Sequence, residues 1–143
     1  GVIHNRHVMK VISKFTIQEH RCAYENRPLK SALFFDGVQL KFKTPGYVIE
    51  KQFELKNYYL LFLNWDCSFE EGCEVLIINK QLELVGSYSF KPFYNSFNLS
   101  SVCEEKKDHY RIVFDSTESY ELVVNYPKKC WFSRVLVVNK YYV

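Results

Sequence analysis

Alanine is almost missing from this chain of 143 residues; only Ala23 and Ala32 occur. Alanine is the best helix former, so its scarcity removes the usual material of helices. Glycine (5), proline (4) and methionine (1) are also few, which excludes a collagen-like or low-complexity chain. No apolar run approaches the ~20 residues that a membrane-spanning helix needs. No five consecutive like charges occur, so there is no acidic or basic tail. The stretch Gly1 to His7 lacks the apolar core of a signal peptide, and a cytoplasmic location is expected. The motifs CxxC, HExxH, GxGxxG, the P-loop and GxSxG are all absent.

What remains is aromatic and β-forming. Tyr (11) and Phe (12) bring the aromatic share to 17%, and the apolar share is 48%. Aromatic enrichment favours strands. The length fits one domain, residues 1–143, with the eight residues before Met9 read as a flexible or appended segment. The net charge of +3 forces no nucleic-acid partner. Five cysteines, Cys22, Cys67, Cys73, Cys103 and Cys130, make an odd count, and the expectation is free thiols in a reducing compartment.

Alternation divides the chain into strands and turns. Val8 to Ile17 reads as a first strand and His20 to Pro28 as a loop. Asp36-Gly37 between Leu33–Phe35 and Val38–Phe42 predicts a hairpin, since both turn positions favour positive φ. Pro45-Gly46 turns again. Tyr47 to Leu55 alternates, and Lys51 breaks its parity in the manner of an edge or a bulge. Tyr58 to Leu63 is apolar on both parities, the pattern of a strand covered on both faces. Val75 to Ile78 and Leu82 to Phe90 form the next pair. Lys91 to Ser101 reads as a loop packed by its own aromatics, and Glu104 to Asp108 as a charged turn. Tyr110 to Asp115, Tyr120 to Asn125 and Trp131 to Val138 complete the set. The expected fold is all-β and mostly antiparallel, with about nine or ten strands in a sandwich or a strongly bent sheet or barrel.

Chemistry-bearing constellations are sparse. His4, His7, His20 and His109 have no metal spacing, and neither metal nor cofactor is expected. Cys67 follows Asp66 at a strand end, but nothing in the sequence places a histidine beside it, so it reads as a structural thiol rather than a nucleophile. No enzyme activity is expected. Tyr88, Phe90, Phe93 and Tyr94 around Lys91 could form a stacking platform for single-stranded nucleic acid, with core packing the favoured role. The most concentrated feature is acidic. Asp66, Glu70, Glu71 and Glu74 fall within nine residues without a Lys or Arg, beside Trp65 and Phe69. Such a patch on a net basic chain suits a basic protein partner.

The same stretch carries a family resemblance. An apolar strand followed by WDC-x-FEE (Trp65 to Glu71), then VLIIN (Val75 to Asn79) and QLELVGSYSF (Gln81 to Phe90), resembles small bacterial immunity proteins. These are encoded beside polymorphic toxins, including contact-dependent growth inhibition systems. The match covers roughly Tyr59 to Phe90, with an echo from His109 to Val124. Ser68 stands where the family places proline, and Gly72-Cys73 where an aliphatic residue is expected. The resemblance implies a non-enzymatic antitoxin that covers the active site or substrate surface of one toxin domain, with a nuclease as a fitting class. Trp65, Asp66, Phe69, Glu70, Glu71 and Glu74 are the candidate contact residues. The alternatives are a single-stranded nucleic-acid-binding β domain and a small ligand-binding or enzymatic barrel.

Overall fold

The structure is a computed structural model that describes residues 9–68, 71–92, 97–128 and 133–141. Twelve strands lie among these residues: β1 (Lys10–Val11), β2 (Phe15–Ile17), β3 (Ser31–Phe35), β4 (Val38–Thr44), β5 (Val48–Glu54), β6 (Tyr58–Asn64), β7 (Cys73–Asn79), β8 (Leu84–Phe90), β9 (Leu99–Lys106), β10 (His109–Phe114), β11 (Glu118–Val124) and β12 (Leu136–Lys140). They form three antiparallel sheets, in the orders β1-β5-β6-β7-β8, β12-β11-β10-β9 and β2-β3-β4. The sheets do not close into a barrel; they stack.

Stacking follows from the two parities of β6 and β7. Tyr58, Leu60 and Phe62, with Cys73, Val75 and Ile77, share a core with Tyr110, Ile112, Phe114, Leu122, Val124 and Leu136 of the four-stranded sheet. Tyr59, Leu61 and Leu63, with Leu76 and Ile78, share a second core with Phe15, Leu33 and Leu40 of the three-stranded sheet. The five-stranded sheet is therefore the middle layer. The charge-free run of β6 is buried on both faces because each face carries its own apolar layer. A fully buried Leu or Phe side chain contributes about 1.5–3 kcal/mol, so this hairpin is costly to open.

Local chemistry accounts for the joints. Asp36 (φ 47°) and Gly37 (φ 82°) close the β3–β4 hairpin with both centres in the left-handed region. Gln52 fastens the three-stranded layer to the middle one. Its Oε1 accepts the Phe15 N–H at 2.8 Å, and its Nε2 donates to the Phe15 carbonyl at 2.9 Å, so a side-chain amide stands in for a neighbouring strand. The ladder between β5 and β6 slips between Ile49 and Lys51, which makes Glu50 the extra residue of a bulge.

Four sequence expectations change. Val8 to Ile17 is not one strand: Lys10–Val11 pairs with β5, whereas Phe15–Ile17 pairs with β3, and the chain crosses between layers in between. The segment from His20 to Pro28 contains one short 3-10 turn, Tyr24–Asn26. Glu104 to Asp108 is mostly strand, since β9 runs from Leu99 to Lys106 and only the next two residues turn. The last strand among the described residues is Leu136–Lys140, with Trp131 outside the described residues.

Candidate functional site

The β6–β7 hairpin delivers its loop to one end of the middle sheet. Asn64, the last residue of β6, accepts the Asp66 N–H on its Oδ1 at 2.8 Å. This side-chain turn helps hold Asp66 in the left-handed region, at φ 53°, where Asp is among the more tolerant residues. The Asn64 amide donates to Glu50 Oε1 at 2.6 Å, so the β5 bulge supplies a carboxylate to the same end of the sheet.

Trp65 is fixed from three directions. Its Nε1 donates to Glu74 Oε2 at 3.1 Å, its ring meets the Tyr47 ring edge-on with centroids 5.1 Å apart, and its carbonyl accepts the Tyr24 hydroxyl at 2.8 Å. Partial desolvation, with Cys67 alongside, raises the Tyr24 phenol above its ordinary pKa. Glu74 is 7% exposed and also accepts the Ser89 hydroxyl at 2.6 Å. Both bonds land on one buried carboxylate oxygen, so Glu74 forms part of the wall behind Trp65. Gly72 passes close to this wall; a Cβ there would lie 3.2 Å from the Phe90 carbonyl oxygen.

Between these parts lies a cleft of about 310 Å³. Glu50, Asp66 and Glu71 bring carboxylates to it, Trp65 and Phe97 bring aromatic surface, and Asn64, Cys67, Ser68, Gly72 and Asn98 complete the described lining. No Lys, Arg or His is among the described lining residues. Phe97 is buried and its N–H donates to the Glu71 carbonyl at 2.6 Å, which ties the segment before β9 to the acidic loop. A second hollow of about 350 Å³ lies on the far side of Trp65, between Pro45, Glu74, Ser89, Phe90, Lys91 and Pro92.

Of the residues singled out from sequence, Trp65, Asp66 and Glu71 meet at the cleft, and Glu74 sits behind it. Phe69 and Glu70 lie outside the described residues. The sequence reading missed Glu50, which arrives through the bulge that Lys51 signalled, and Phe97, which had been read only as loop packing. It also missed Tyr24, Arg27 and Tyr47, which border the loop from positions 18–41 residues away and leave no local signal. Of the four aromatics around Lys91, Phe90 is 3% exposed and packs on Phe97 and Phe114, Tyr88 is 40% exposed, and Phe93 and Tyr94 lie outside the described residues.

Cys22, Cys67, Cys73 and Cys103 are free thiols, and Cys130 lies outside the described residues. Cys67 lines the cleft, whereas Cys73 is buried and its thiol pKa is pushed up by that burial. His20 is occupied elsewhere: Ser31 Oγ donates to the Gly46 carbonyl at 2.8 Å, so His20 Nε2, 2.7 Å from the same oxygen, is the donor of that pair. No family model, no curated protein and no solved structure matches this chain.

Proposed function

We propose that the chain is an immunity protein that binds a cognate toxin domain and blocks its active site or substrate surface, with the cleft at the end of β6–β7 as the contact surface. The observation that carries this reading is the charge of the described cleft lining: three carboxylates and no basic lining side chain, on a chain of net charge +3, with Arg27 pairing Asp66 from outside the lining through one carboxylate oxygen. Opposite charge across an interface speeds encounter and fixes register. Trp65 and the exposed Tyr24 offer aromatic anchors beside that charge. Trp65 and Asp66 follow directly on a strand covered on both faces, so placing them costs little order on binding. A nuclease-like toxin, with a basic groove for phosphates, is the partner class that fits the charge. The resemblance of Tyr59 to Phe90 to immunity proteins points the same way.

The test is to express the product of the gene immediately upstream, alone and together with this chain. Protection of growth and a complex whose affinity falls with rising salt are the expected results. A neighbour that is not toxic, or a toxin that this chain neither binds nor neutralises, ends the proposal. Salt-sensitive binding to single-stranded oligonucleotides in place of a protein would favour a nucleic-acid module.

A further inference from the structure

We infer that Arg27 is a positioning residue for the cleft, a guanidinium clasp that holds the turn at Trp65 and Asp66 in its binding shape. Its consequence for binding rests on the function proposed above; the clasp itself stands on geometry and is measurable without a partner.

The segment that carries Arg27 is anchored independently of the acidic loop. His20 bonds to Ser31, Ser31 to the Gly46 carbonyl, and the Tyr47 hydroxyl donates to the Pro28 carbonyl at 2.9 Å. From this base Arg27 reaches a loop 39 residues further along the chain. Its guanidinium carbon lies 5.0 Å from the Tyr24 ring centroid and 5.1 Å from that of Tyr47, two rings set edge to face. Its NH1 donates to Asp66 Oδ2 at 3.2 Å. The guanidinium is therefore held by two ring contacts and one carboxylate contact, and its buried Nε has no hydrogen-bond partner among the described residues.

Asp66 is one of the non-glycine residues with a left-handed backbone, at φ 53°. A left-handed backbone persists where its surroundings over-determine it. Asn64 grips the Asp66 N–H from inside the turn, Tyr24 grips the Trp65 carbonyl, and Arg27 grips the side chain. The contact from Arg27 uses one carboxylate oxygen. Asp66 also lines the cleft, so the clasp orients this carboxylate at the cleft without engaging both of its oxygens. The guanidinium suits the arrangement because its charge is spread over a planar fork that faces two rings and donates to a carboxylate at once, whereas a lysine ammonium is a compact, more strongly hydrated point charge. In function, a cationic side chain of the toxin meets a carboxylate that is already placed.

Amide hydrogen exchange by NMR tests the clasp. In Arg27→Ala, the amides of Trp65, Asp66 and Cys67 should exchange at least about tenfold faster, with β6 and β7 unchanged. Ethylguanidinium at millimolar concentration should restore protection in Arg27→Ala, ethylammonium should not, and the restoration should vanish in Arg27→Ala/Asp66→Asn. Wild-type exchange in Arg27→Ala, or equal restoration by both cations, overturns the clasp. If Arg27→Ala does not fold, Arg27→Lys decides: rapid loop exchange supports the clasp and wild-type exchange overturns it. With the upstream toxin domain, Arg27→Ala should bind about tenfold more weakly, and unchanged affinity beside a loosened loop overturns the positioning role. A wild-type chain that does not bind the toxin sinks the immunity reading, while the exchange data still decide the clasp.

Discussion

Asn64 and Asn79 end the two strands of the central hairpin, one at each end of it. Each begins with the same local turn: its Oδ1 accepts the N–H two residues on, Asp66 at 2.8 Å and Gln81 at 3.1 Å. Beyond that they part. Asn79 is 4% exposed; its Oδ1 also accepts the Glu83 N–H, and its amide donates to Glu83 Oε1 and to the Tyr126 hydroxyl. At the same end the Tyr58 hydroxyl donates to Asp108 and in turn accepts from Tyr110, and Lys80 bonds to Glu54. Asn64 instead gives its amide to Glu50, a carboxylate that lines an open cleft. The difference shows where the layers stop. Where the four-stranded sheet and the β7–β8 turn supply partners, polar groups turn inward. Where they do not, carboxylates and an aromatic are left in reach of another molecule.

The largest expected effect breaks the comparison at the cleft. Glu50→Gln, Asp66→Asn and Glu71→Gln together should weaken toxin binding by about 2–5 kcal/mol, if the pairs are desolvated in the complex. Folding stability should move by about 1 kcal/mol, because the contacts of Glu50 to Asn64 and of Asp66 to Arg27 are solvent-exposed. Calorimetric titration and urea unfolding of the same protein separate the two quantities. Unchanged affinity in the folded triple variant moves the contact surface away from the cleft.

Asn79→Ala comes next. It leaves the N–H groups of Gln81 and Glu83 without their acceptor and should cost about 2–3 kcal/mol in urea unfolding. Asn64→Ala removes the corresponding turn at the open end and should cost about 1 kcal/mol or less, since water can replace the lost partners. Equal losses would show that the two ends are not different in kind.

Tyr58→Phe should cost about 1–2 kcal/mol at neutral pH, by leaving Asp108 and Tyr110 one partner short. It also carries a pH signature. Burial, helped by the Tyr110 and Asp108 contacts, raises the Tyr58 phenol above its ordinary value of 10.0, and burial raises Tyr110 as well. A folded-state pKa above the unfolded one means that the unfolded chain releases its proton first. Stability from these groups is complete below about pH 10 and is lost as pH rises beyond it. Cys73, raised from 9.0, opens the same window a unit earlier. Urea unfolding at neutral pH, pH 9 and pH 10.5 should therefore show declining stability, with a shallower decline in Tyr58→Phe.

Much of the closed end was legible in sequence, and little of the open end was. A charge-free run on both parities requires two apolar layers, so the burial of β6 follows from Tyr58 to Leu63 alone. The hairpin at Asp36-Gly37 follows from turn chemistry. β9 was hidden because it is an edge strand: Leu99 to Lys106 is half exposed, and its serines and glutamates read as loop and turn. The split of residues 10–17 between two sheets was hidden because strand partners are chosen at long range. The cleft shares this opacity. Trp65, Asp66 and Glu71 stand out as one acidic, aromatic cluster, but Glu50, Tyr24, Arg27 and Tyr47 reach it only through the fold.

The smallest energetic effect is carried by two cysteines six residues apart. Cys67 lines the cleft and is partly accessible; Cys73 begins β7, is 2% exposed and lies in the core shared with the four-stranded sheet. Only the thiolate reacts with iodoacetamide, and burial raises the Cys73 pKa, so access and ionisation both protect it. At pH 8 the native protein should label at Cys67 and at the exposed Cys22 and Cys103, with Cys73 modified only as fast as the hairpin opens. Mass spectrometry of peptides over time reads each site separately. Equal rates at Cys67 and Cys73 would mean that the start of β7 frays, and the cleft would then lack the rigid support that the proposed binding role requires. Added toxin domain should slow Cys67 while leaving Cys22 and Cys103 unaffected. Protection at Cys22 as well would widen the contact surface toward the Arg27 segment, where Tyr24 and Arg27 already border the loop.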